Sequence, residues 1–165
     1  MHCGVPMSSA VVDSFVAKKS MKRCVADGEA LSMPKRTYID SNVLIAACRG
    51  EDELGQRAFE ILDDPDRALV VSDAVWLEVM PKPHFEKRQE EIDFYAAVFE
   101  EAEHLKWCTD TLYRAYNLAA THGIAAMDAI HVSTALDAAT EEFITAERST
   151  KPMFRVQSIN MRSIR

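Results

Sequence analysis

The sequence predicts an α/β fold: a three-layer α/β/α domain built on a mainly parallel β-sheet. Short apolar runs of strand length alternate with amphipathic or apolar segments of helix length, and capping or turn residues stand at most of the junctions between them. Strands that alternate with helices in this way usually form a parallel sheet, because each helix serves as the crossover to the next strand.

Length and composition favour one domain preceded by an extension. The 165 residues can bury one sizeable core, and 48% of them are apolar. Residues 1–35 show no clear hydrophobic period, so we predict a poorly packed N-terminal extension there and a single α/β domain over residues 36–165. No apolar run approaches the roughly 20 residues of a membrane span and no signal peptide is recognisable, so we expect no membrane association and a cytoplasmic location.

Charge and cysteine content narrow the classes of function. The net charge is −7, but residues 148–165 contain five basic residues and no acidic one, so the body of the chain is strongly acidic. An acidic body repels a nucleic-acid backbone unless cations or basic edges offset it, and the basic tail leaves nucleic acid open as a ligand. The four cysteines are scattered with no C-x-x-C pair, which argues against a zinc site and against a disulfide framework.

The strands are predicted from apolar runs. Residues 68–71 form a continuous apolar run, which is typical of a strand buried on both faces. The predicted strands are residues 37–39, 68–71, 105–108, 143–145 and 154–156.

The helices are predicted from their period and from the residues that cap or break them. Ser41 or Asn42 is expected to cap the first helix, and Gly50 to end it. Residues 124–139 are alanine-rich and apolar over most of their circumference, which indicates a central buried helix. The predicted helices are residues 43–48, residues 53–63, a segment after Ser72 that ends near Pro81, residues 85–102, a segment capped by Thr109 or Asp110 that ends at Gly123, and residues 124–139.

Four acidic residues are expected near the carboxyl ends of the strands, where open α/β sheets place their ligand sites: Asp40, Glu78, Asp128 and Glu147. Asp128 lies in a nearly apolar stretch, where an unpaired carboxylate would cost several kcal/mol to bury. We expect no basic partners for these acids, and converging carboxylates repel unless a divalent cation joins them. Oxygen ligands suit Mg²⁺ or Mn²⁺ better than zinc. Helix capping is the alternative role for Asp40 and Asp128.

Four segments of the chain resemble the motifs of a known family. Residues 38–45 (YIDSNVLI), 77–79 (LEV), 128–135 (DAIHVSTA) and 144–147 (ITAE) resemble the four motifs of PIN-domain ribonucleases, and are most similar to those of the VapC-type toxins of bacterial toxin–antitoxin pairs. The resemblance covers residues 36 to about 156. It implies a PIN-like α/β/α domain, Mg²⁺- or Mn²⁺-dependent cleavage of RNA, a homodimer and an antitoxin partner.

The resemblance also assigns a role to each acid. Asp40, Glu78 and Asp128 match the acidic residues with which the family holds its metal ion. Glu147 stands where the fourth acid is usually Asp, so its side chain is one methylene longer than the family pattern. The implied activity is metal-assisted hydrolysis of a phosphodiester by these residues.

Other polar residues are candidates for substrate contacts. Ser41 or Asn42 matches the polar helper of the first motif. His131 matches a frequent family position, but a lone His on a buried helix is usually a hydrogen-bonded core residue, and we expect that role for it. The candidate contacts to the RNA backbone, with a solvated basic tail as the alternative, are Arg148, Lys151 and Arg155.

Two other functions fit parts of the sequence. A haloacid-dehalogenase-like phosphatase also begins with an Asp after its first strand, but that chemistry needs a second Asp where this chain has Asn42. A PIN-like domain with weak or lost catalysis, serving as a protein or RNA interaction module, is the stronger alternative, because Glu147 departs from the family pattern.

An aromatic segment is a candidate partner surface. The predicted helix of residues 85–102 carries more hydrophobic side chains than one buried face needs, and such an excess often marks an interface. The side chains in question are Phe85, Phe94, Tyr95 and Phe99.

Overall fold

The computed structural model describes residues 33–50 and 52–165. Residues 1–32, which make up nearly all of the predicted N-terminal extension, lie outside the described part of the chain. The described part begins two residues before the first strand, so the predicted start of the α/β domain at residue 36 falls inside that strand.

Five strands and seven α-helices form the described domain. The strands are β1 (Lys35–Ile39), β2 (Arg67–Ser72), β3 (Glu103–Leu105), β4 (Glu142–Thr145) and β5 (Asn160–Ser163). The helices are α1 (Ser41–Arg49), α2 (Glu53–Asp63), α3 (Asp73–Val79), α4 (Pro81–Glu86), α5 (Gln89–Glu101), α6 (Thr109–His122) and α7 (Ala126–Asp137), and a short 3-10 helix (Pro152–Arg155) follows β4.

The sheet has the order β3-β2-β1-β4-β5, and every pairing in it is parallel. This confirms the predicted parallel sheet. The central strand is β1, and its Tyr38 and Ile39 are fully buried. The chain moves from β1 towards β3 on one side and from β4 to β5 on the other, so the strand order reverses between β1 and β4. Ligands of open α/β sheets bind at such a reversal, beyond the carboxyl ends of the strands.

Helices cover both faces of the sheet. Helix α1 packs against α2, α3 and α5, whereas α6 packs against α7, and the 3-10 helix touches both α6 and α7. Right-handed crossovers place the first group on one face and the second on the other, which is the predicted α/β/α layering. None of the described helices is both long and apolar enough to cross a membrane.

The turn between α1 and α2 depends on two glycines. Gly50 ends α1 in the left-handed conformation, with φ 61°, and its N–H donates to the carbonyl of Ala46. A Cβ on Gly55 would lie 2.8 Å from the Cα of Gly50, so only glycine allows the two helices to approach this closely. The prediction that Gly50 ends the first helix is confirmed.

Two element predictions are wrong, and in each a proline begins an unexpected helix. Helix α3 ends at Val79, near Pro81 as predicted, but Pro81 then begins α4, because proline suits the first turn of a helix. The residues of the predicted helix 85–102 therefore belong to two helices, separated by Lys87 in the left-handed conformation, and Phe85 is 88% exposed. Pro152 begins a 3-10 helix where residues 154–156 were expected to form a strand, and the last strand is β5.

The third strand also lies away from its predicted place. It covers Glu103–Leu105 instead of residues 105–108, and it pairs with the end of β2 at the edge of the sheet. The apolar pair that suggested a strand, Trp107 and Cys108, instead leads into α6.

A buried ion-pair network ties three strands together at the amino end of the sheet. Glu142 of β4 is only 4% exposed, and it pairs with Arg67 of β2 and, at 3.3 Å, with Lys35 of β1. Arg67 also pairs with Asp64 at 2.9 Å. Burial raises the pKa of Glu142, but hydrogen bonds and charge from Arg67 and Lys35 outweigh it, so the pKa lies below its ordinary value.

We predict that Glu142→Gln lowers the free energy of unfolding by about 2 kcal/mol at pH 7, because a charged hydrogen-bonding partner of Arg67 is lost. A carboxylate with a lowered pKa contributes its stability above its ordinary pKa and loses it as the pH falls through the folded-state pKa. The difference between wild type and variant should therefore shrink in acid. Denaturant unfolding at pH 7 and at acidic pH measures it. The exposed neighbour Glu141→Gln is the control, and equal stability of all three proteins at pH 7 would contradict the network's role.

Candidate active site

The carboxylate of Asp40 is held at the end of the central strand. The chain leaves β1 at Ile39, so Asp40 becomes the N-cap of α1, and one of its oxygens accepts from the Ser41 N–H at 2.9 Å. The other oxygen accepts from the hydroxyl of Thr145, at 2.7 Å, where β4 ends. Asp40 is 5% exposed. It therefore both caps the helix, in place of the predicted Ser41 or Asn42, and points into the strand-order reversal.

Asn42 fixes the end of β4 against the start of α1. Its side-chain oxygen accepts from the Ala146 N–H at 2.7 Å, and its nitrogen donates to the Thr145 hydroxyl oxygen at 3.2 Å. The Glu147 N–H also donates to that oxygen, at 3.0 Å. Asn42 thus acts on the site through Thr145, which holds Asp40. Sequence reasoning missed Thr145, although its place at the end of a strand was the same signal that identified Asp40.

Glu78 and His131 complete a compact group with Asp40. Nε2 of His131 lies 2.8 Å from an oxygen of Glu78 and 3.8 Å from one of Asp40. One ligand atom from each of the three residues lies within 4.8 Å of the others, the spacing of a possible metal site among the described residues. His131 is 2% exposed, so the prediction of a buried, hydrogen-bonded His is confirmed. The sequence did not indicate that it also binds a site acid, although its i,i+3 spacing from Asp128 puts both on one helix face.

A buried hydrogen-bond chain orients the His131 ring. Nδ1 lies 3.0 Å from the Tyr38 hydroxyl, which lies 2.6 Å from the Ser72 hydroxyl, and Ser72 accepts from the Val75 N–H at 3.4 Å as the N-cap of α3. An ionised Glu78 can only accept, so Nε2 carries the proton that joins ring and carboxylate. These hydrogen bonds connect the start of α3, the central strand and α7. They fix the His131 ring, and the ring in turn fixes the position of the Glu78 carboxylate.

The pKa values of the acids differ in direction. Burial raises the pKa of Asp40, against the lowering effects of His131 and the Thr145 hydrogen bond. Burial also raises the pKa of Asp128, and the charges of Glu147 and Glu78 add to it. Partial burial would raise the pKa of Glu78, but hydrogen bonds from His131 and Ser41 outweigh it and lower the pKa. Asp40 and Asp128 are therefore the carboxylates that are costly to keep ionised without a cation.

Burial acts against the charged form of His131, but its surroundings reverse the effect. The hydrogen bond to Glu78 and the negative charges of Asp40, Glu78 and Asp128 outweigh burial, and the pKa of His131 is raised. The expectation that the acids have no basic partners is therefore wrong: His131 serves Glu78, and Lys151 lies 3.6 Å from Glu147. His131 lies 53 positions from Glu78 in the sequence, whereas Lys151 lies only four positions after Glu147, in a loop.

Asp128 and Glu147 lie beside the compact group but are not members of it. Asp128 stands in the first turn of α7, which Ala125 caps, so it is not the N-cap. It is half-buried and close enough to His131, Glu78 and Glu147 to interact with their charges. The four predicted acids thus share one end of the sheet, and their carboxylate oxygens are ligands that fit a hard divalent cation.

The three predicted backbone-binding residues have different surroundings. Arg148 is exposed, and its side chain has no hydrogen bond or ion pair with a described residue. Lys151 is paired with Glu147. Arg155 donates to the carbonyl of His122 at 2.9 Å, and so satisfies the C-terminal end of α6.

We predict that Asp128→Asn raises the melting temperature of the metal-free protein at pH 7 by roughly 2–4 °C, the shift that about 1 kcal/mol produces in a domain of this size. The pKa of Asp128 is raised, so its ionised form costs stability above the folded-state pKa. The gain should therefore vanish as the pH falls below the ordinary Asp pKa of about 3.9. Thermal unfolding in EDTA measures it, with the exposed Asp66→Asn as control. A lower melting temperature at pH 7 would contradict the assigned repulsion.

Solved structures of toxin–antitoxin proteins are similar to this fold. A toxin–antitoxin complex from Klebsiella pneumoniae has a TM-score of 0.63 at 20% identity, with 78% of this chain and 98% of that chain covered. VapBC2 from Rickettsia felis, bound to promoter DNA, has a TM-score of 0.60 at 12% sequence identity, and the match covers 78% of this chain and 98% of that chain. VapC20 from Mycobacterium tuberculosis, a sarcin–ricin-loop-cleaving toxin, has a TM-score of 0.52 at 12% sequence identity, and the match covers 65% of this chain and 86% of that chain.

Sequence comparison identifies the family. Among curated proteins, none matches the chain. The sequence model of the PIN domain matches residues 37–151, which include β1 to β4, the compact group, Asp128 and Glu147. This match spans well over half of the chain, and the structural neighbours agree with it. The chain belongs to the PIN domain family.

Proposed function

We propose that this protein is a metal-dependent endoribonuclease that hydrolyses RNA phosphodiester bonds, and that it is the toxin of a toxin–antitoxin pair. The observation that carries the proposal is the group of Asp40, Glu78 and His131 at the strand-order reversal, with Asp128 beside it. Membership of the PIN domain family supports nuclease chemistry. One structural neighbour is described as a toxin that cleaves the sarcin–ricin loop, and others are toxin–antitoxin complexes.

The proposed cation is Mg²⁺ or Mn²⁺, held by Asp40, Glu78 and Asp128, with Glu147 as a fourth acid. When bound, such an ion lowers the pKa of water and offsets the negative charge that develops on the phosphate oxygens. The fit rests on the residues themselves, because Asp40 and Asp128 have raised pKa values that a nearby cation would reverse.

Neighbouring residues of the chain keep the acids in place. The Thr145 hydroxyl and the Ser41 N–H fix both oxygens of Asp40, and Asn42 holds Thr145 from the other side. His131 donates to Glu78 and so keeps that carboxylate turned towards Asp40. These are positioning roles, of the kind that outer-shell groups have at metal sites. Arg148 and Lys151 are the remaining candidates for contact with the substrate backbone, since Arg155 is engaged by α6.

The partner surface differs from the predicted one. Phe94 and Tyr95 are buried in the core, so they are not available to a partner. The exposed apolar side chains on this part of the chain are Trp76 and Leu77 of α3 and Phe85 of α4. We propose that the antitoxin covers this surface, which adjoins Glu78.

A second exposed apolar surface supports the proposed homodimer. Leu112, Tyr113 and Tyr116 lie together on α6, with Leu112 and Tyr116 four residues apart on one helix face. Monomers rarely expose contiguous apolar patches without an interaction partner.

We predict that the protein cleaves mixed-sequence RNA in Mn²⁺ and not in EDTA, and that Asp40→Asn and Asp128→Asn each lower the rate more than about 100-fold. Loss of outer-shell partners at metal sites already costs about 10–100-fold, and direct ligands cost more. The control is Asp66→Asn, an exposed carboxylate outside the site. Circular dichroism checks that each variant is folded. Wild-type rates in the two site variants would refute the assignment.

Glu147 provides a separate prediction, because it departs from the usual Asp. If it is a metal ligand, Glu147→Asp should preserve or raise cleavage, whereas Glu147→Gln should lower it less than Asp40→Asn does. The exposed Glu100→Gln of α5 should be silent. Cleavage rates at limiting Mn²⁺ measure the effect, and equal rates for Glu, Asp and Gln at position 147 would remove this residue from the site.

A further inference from the structure

A cleft lies between α2 and the end of β5. Its volume is about 250 Å³. Three arginines and one carboxylate supply its charged groups: Arg57, Arg162, Arg165 and Glu60. An excess of positive charge is unusual on a chain whose net charge is −7, so this cleft is a basic feature on an acidic molecule.

Two of these arginines are free to bind a ligand. Arg57 is already engaged, since it pairs with Glu53 and donates to the carbonyl of Ile164 at 3.2 Å. By contrast, the guanidinium groups of Arg162 and Arg165 have no hydrogen bond or ion pair with any residue that the structure describes. Arg57 therefore anchors the wall of the cleft, and Arg162 and Arg165 present planar donor groups that match the geometry of phosphate oxygens.

The register of the sheet places the cleft at the same end of the strands, the carboxyl-terminal end, as the acids. Ile144 of β4 pairs with Arg162 of β5 on one side and with Ile39, which precedes Asp40, on the other. Neighbouring strands lie about 4.8 Å apart, so the β5 end lies two strand spacings, about 10 Å, from the β1 end. The hydroxyl of Ser163, which lines the cleft, donates to the backbone carbonyl of Glu147, one of the four predicted acids. A ligand that occupies both places must carry negative charge on successive units.

We propose that this cleft binds a phosphate of the single-stranded RNA next to the bond that is cut, through Arg162 and Arg165. This inference rests on the proposed nuclease function, because it names a further contact for the same substrate. Contacts of this kind position the strand without reading its bases. The basic tail would therefore bind the RNA backbone through Arg162 and Arg165 as well as through the residues that the sequence analysis proposed.

The test is the salt dependence of RNA binding by the full chain in EDTA, where cleavage is absent. The double variant Arg162→Gln/Arg165→Gln should bind a short single-stranded RNA more weakly, and the magnitude of the slope of log K against log salt should fall by about 0.7, the value for one lost phosphate contact on a single strand. Arg49→Gln, an exposed arginine at the end of α1, is the matched control and should keep the wild-type slope. Melting temperatures check that all variants are folded.

Two competitors and a cleavage assay complete the test. Inorganic phosphate should compete with the RNA only weakly, because it offers one anionic unit, and full competition at equal phosphate concentration would overturn the proposal in favour of a free-phosphate site. Oligo-glutamate of matched charge should not bind, and binding that is lost in the double variant would indicate an acidic protein segment instead. If the double variant binds RNA as well as wild type does, the proposed phosphate contact in the cleft is refuted. If RNA binding depends on the two arginines but the wild-type protein does not cleave RNA in Mn²⁺, only the proposed nuclease activity is refuted.

Discussion

The rest of the site depends on how the Asp40 carboxylate is held. Its two oxygens accept from the Ser41 N–H and the Thr145 hydroxyl, so the end of the central strand, the start of α1 and the end of β4 meet at one buried group. A buried charge costs free energy unless hydrogen bonds or counter-charges compensate for it. The fold provides the hydrogen bonds, and the raised pKa of Asp40 indicates that they do not compensate fully.

The opposite end of the sheet is arranged differently. There Glu142 is paired with Arg67 and Lys35, and its pKa is lowered. At the amino ends of the strands, paired charges stabilise the sheet. At the carboxyl ends, Asp40 and Asp128 have raised pKa values, because their negative charge is not fully compensated. A group with unrelieved negative charge is a site that gains from a bound cation, and this is the physical reason for the proposed metal dependence.

The sequence predicted those parts that local patterns determine. Asp40 and Asp128 could be identified because each lies beside or just inside a helix start, whereas Glu78, which the sequence placed at a helix start, lies in the last turn of α3. The parallel sheet follows from the alternation of elements. Tyr38 and Ser72 could not be identified, since their roles depend on a contact between residues 34 positions apart. Phe85 and residues 154–156 were misplaced because a proline begins a helix as readily as it ends one, and the sequence pattern alone does not decide between the two.

The central claim is that these acids form a cation site and not the remnant of one in an interaction module. The most direct measurement is the change in free energy of unfolding on adding Mn²⁺ at pH 7, for wild type and for Asp40→Asn. A site that binds only in the folded state adds about 2.7 kcal/mol at a hundredfold excess over Kd. We expect this gain for wild type and its loss in the variant. No gain in wild type, or the same gain in both proteins, would contradict it.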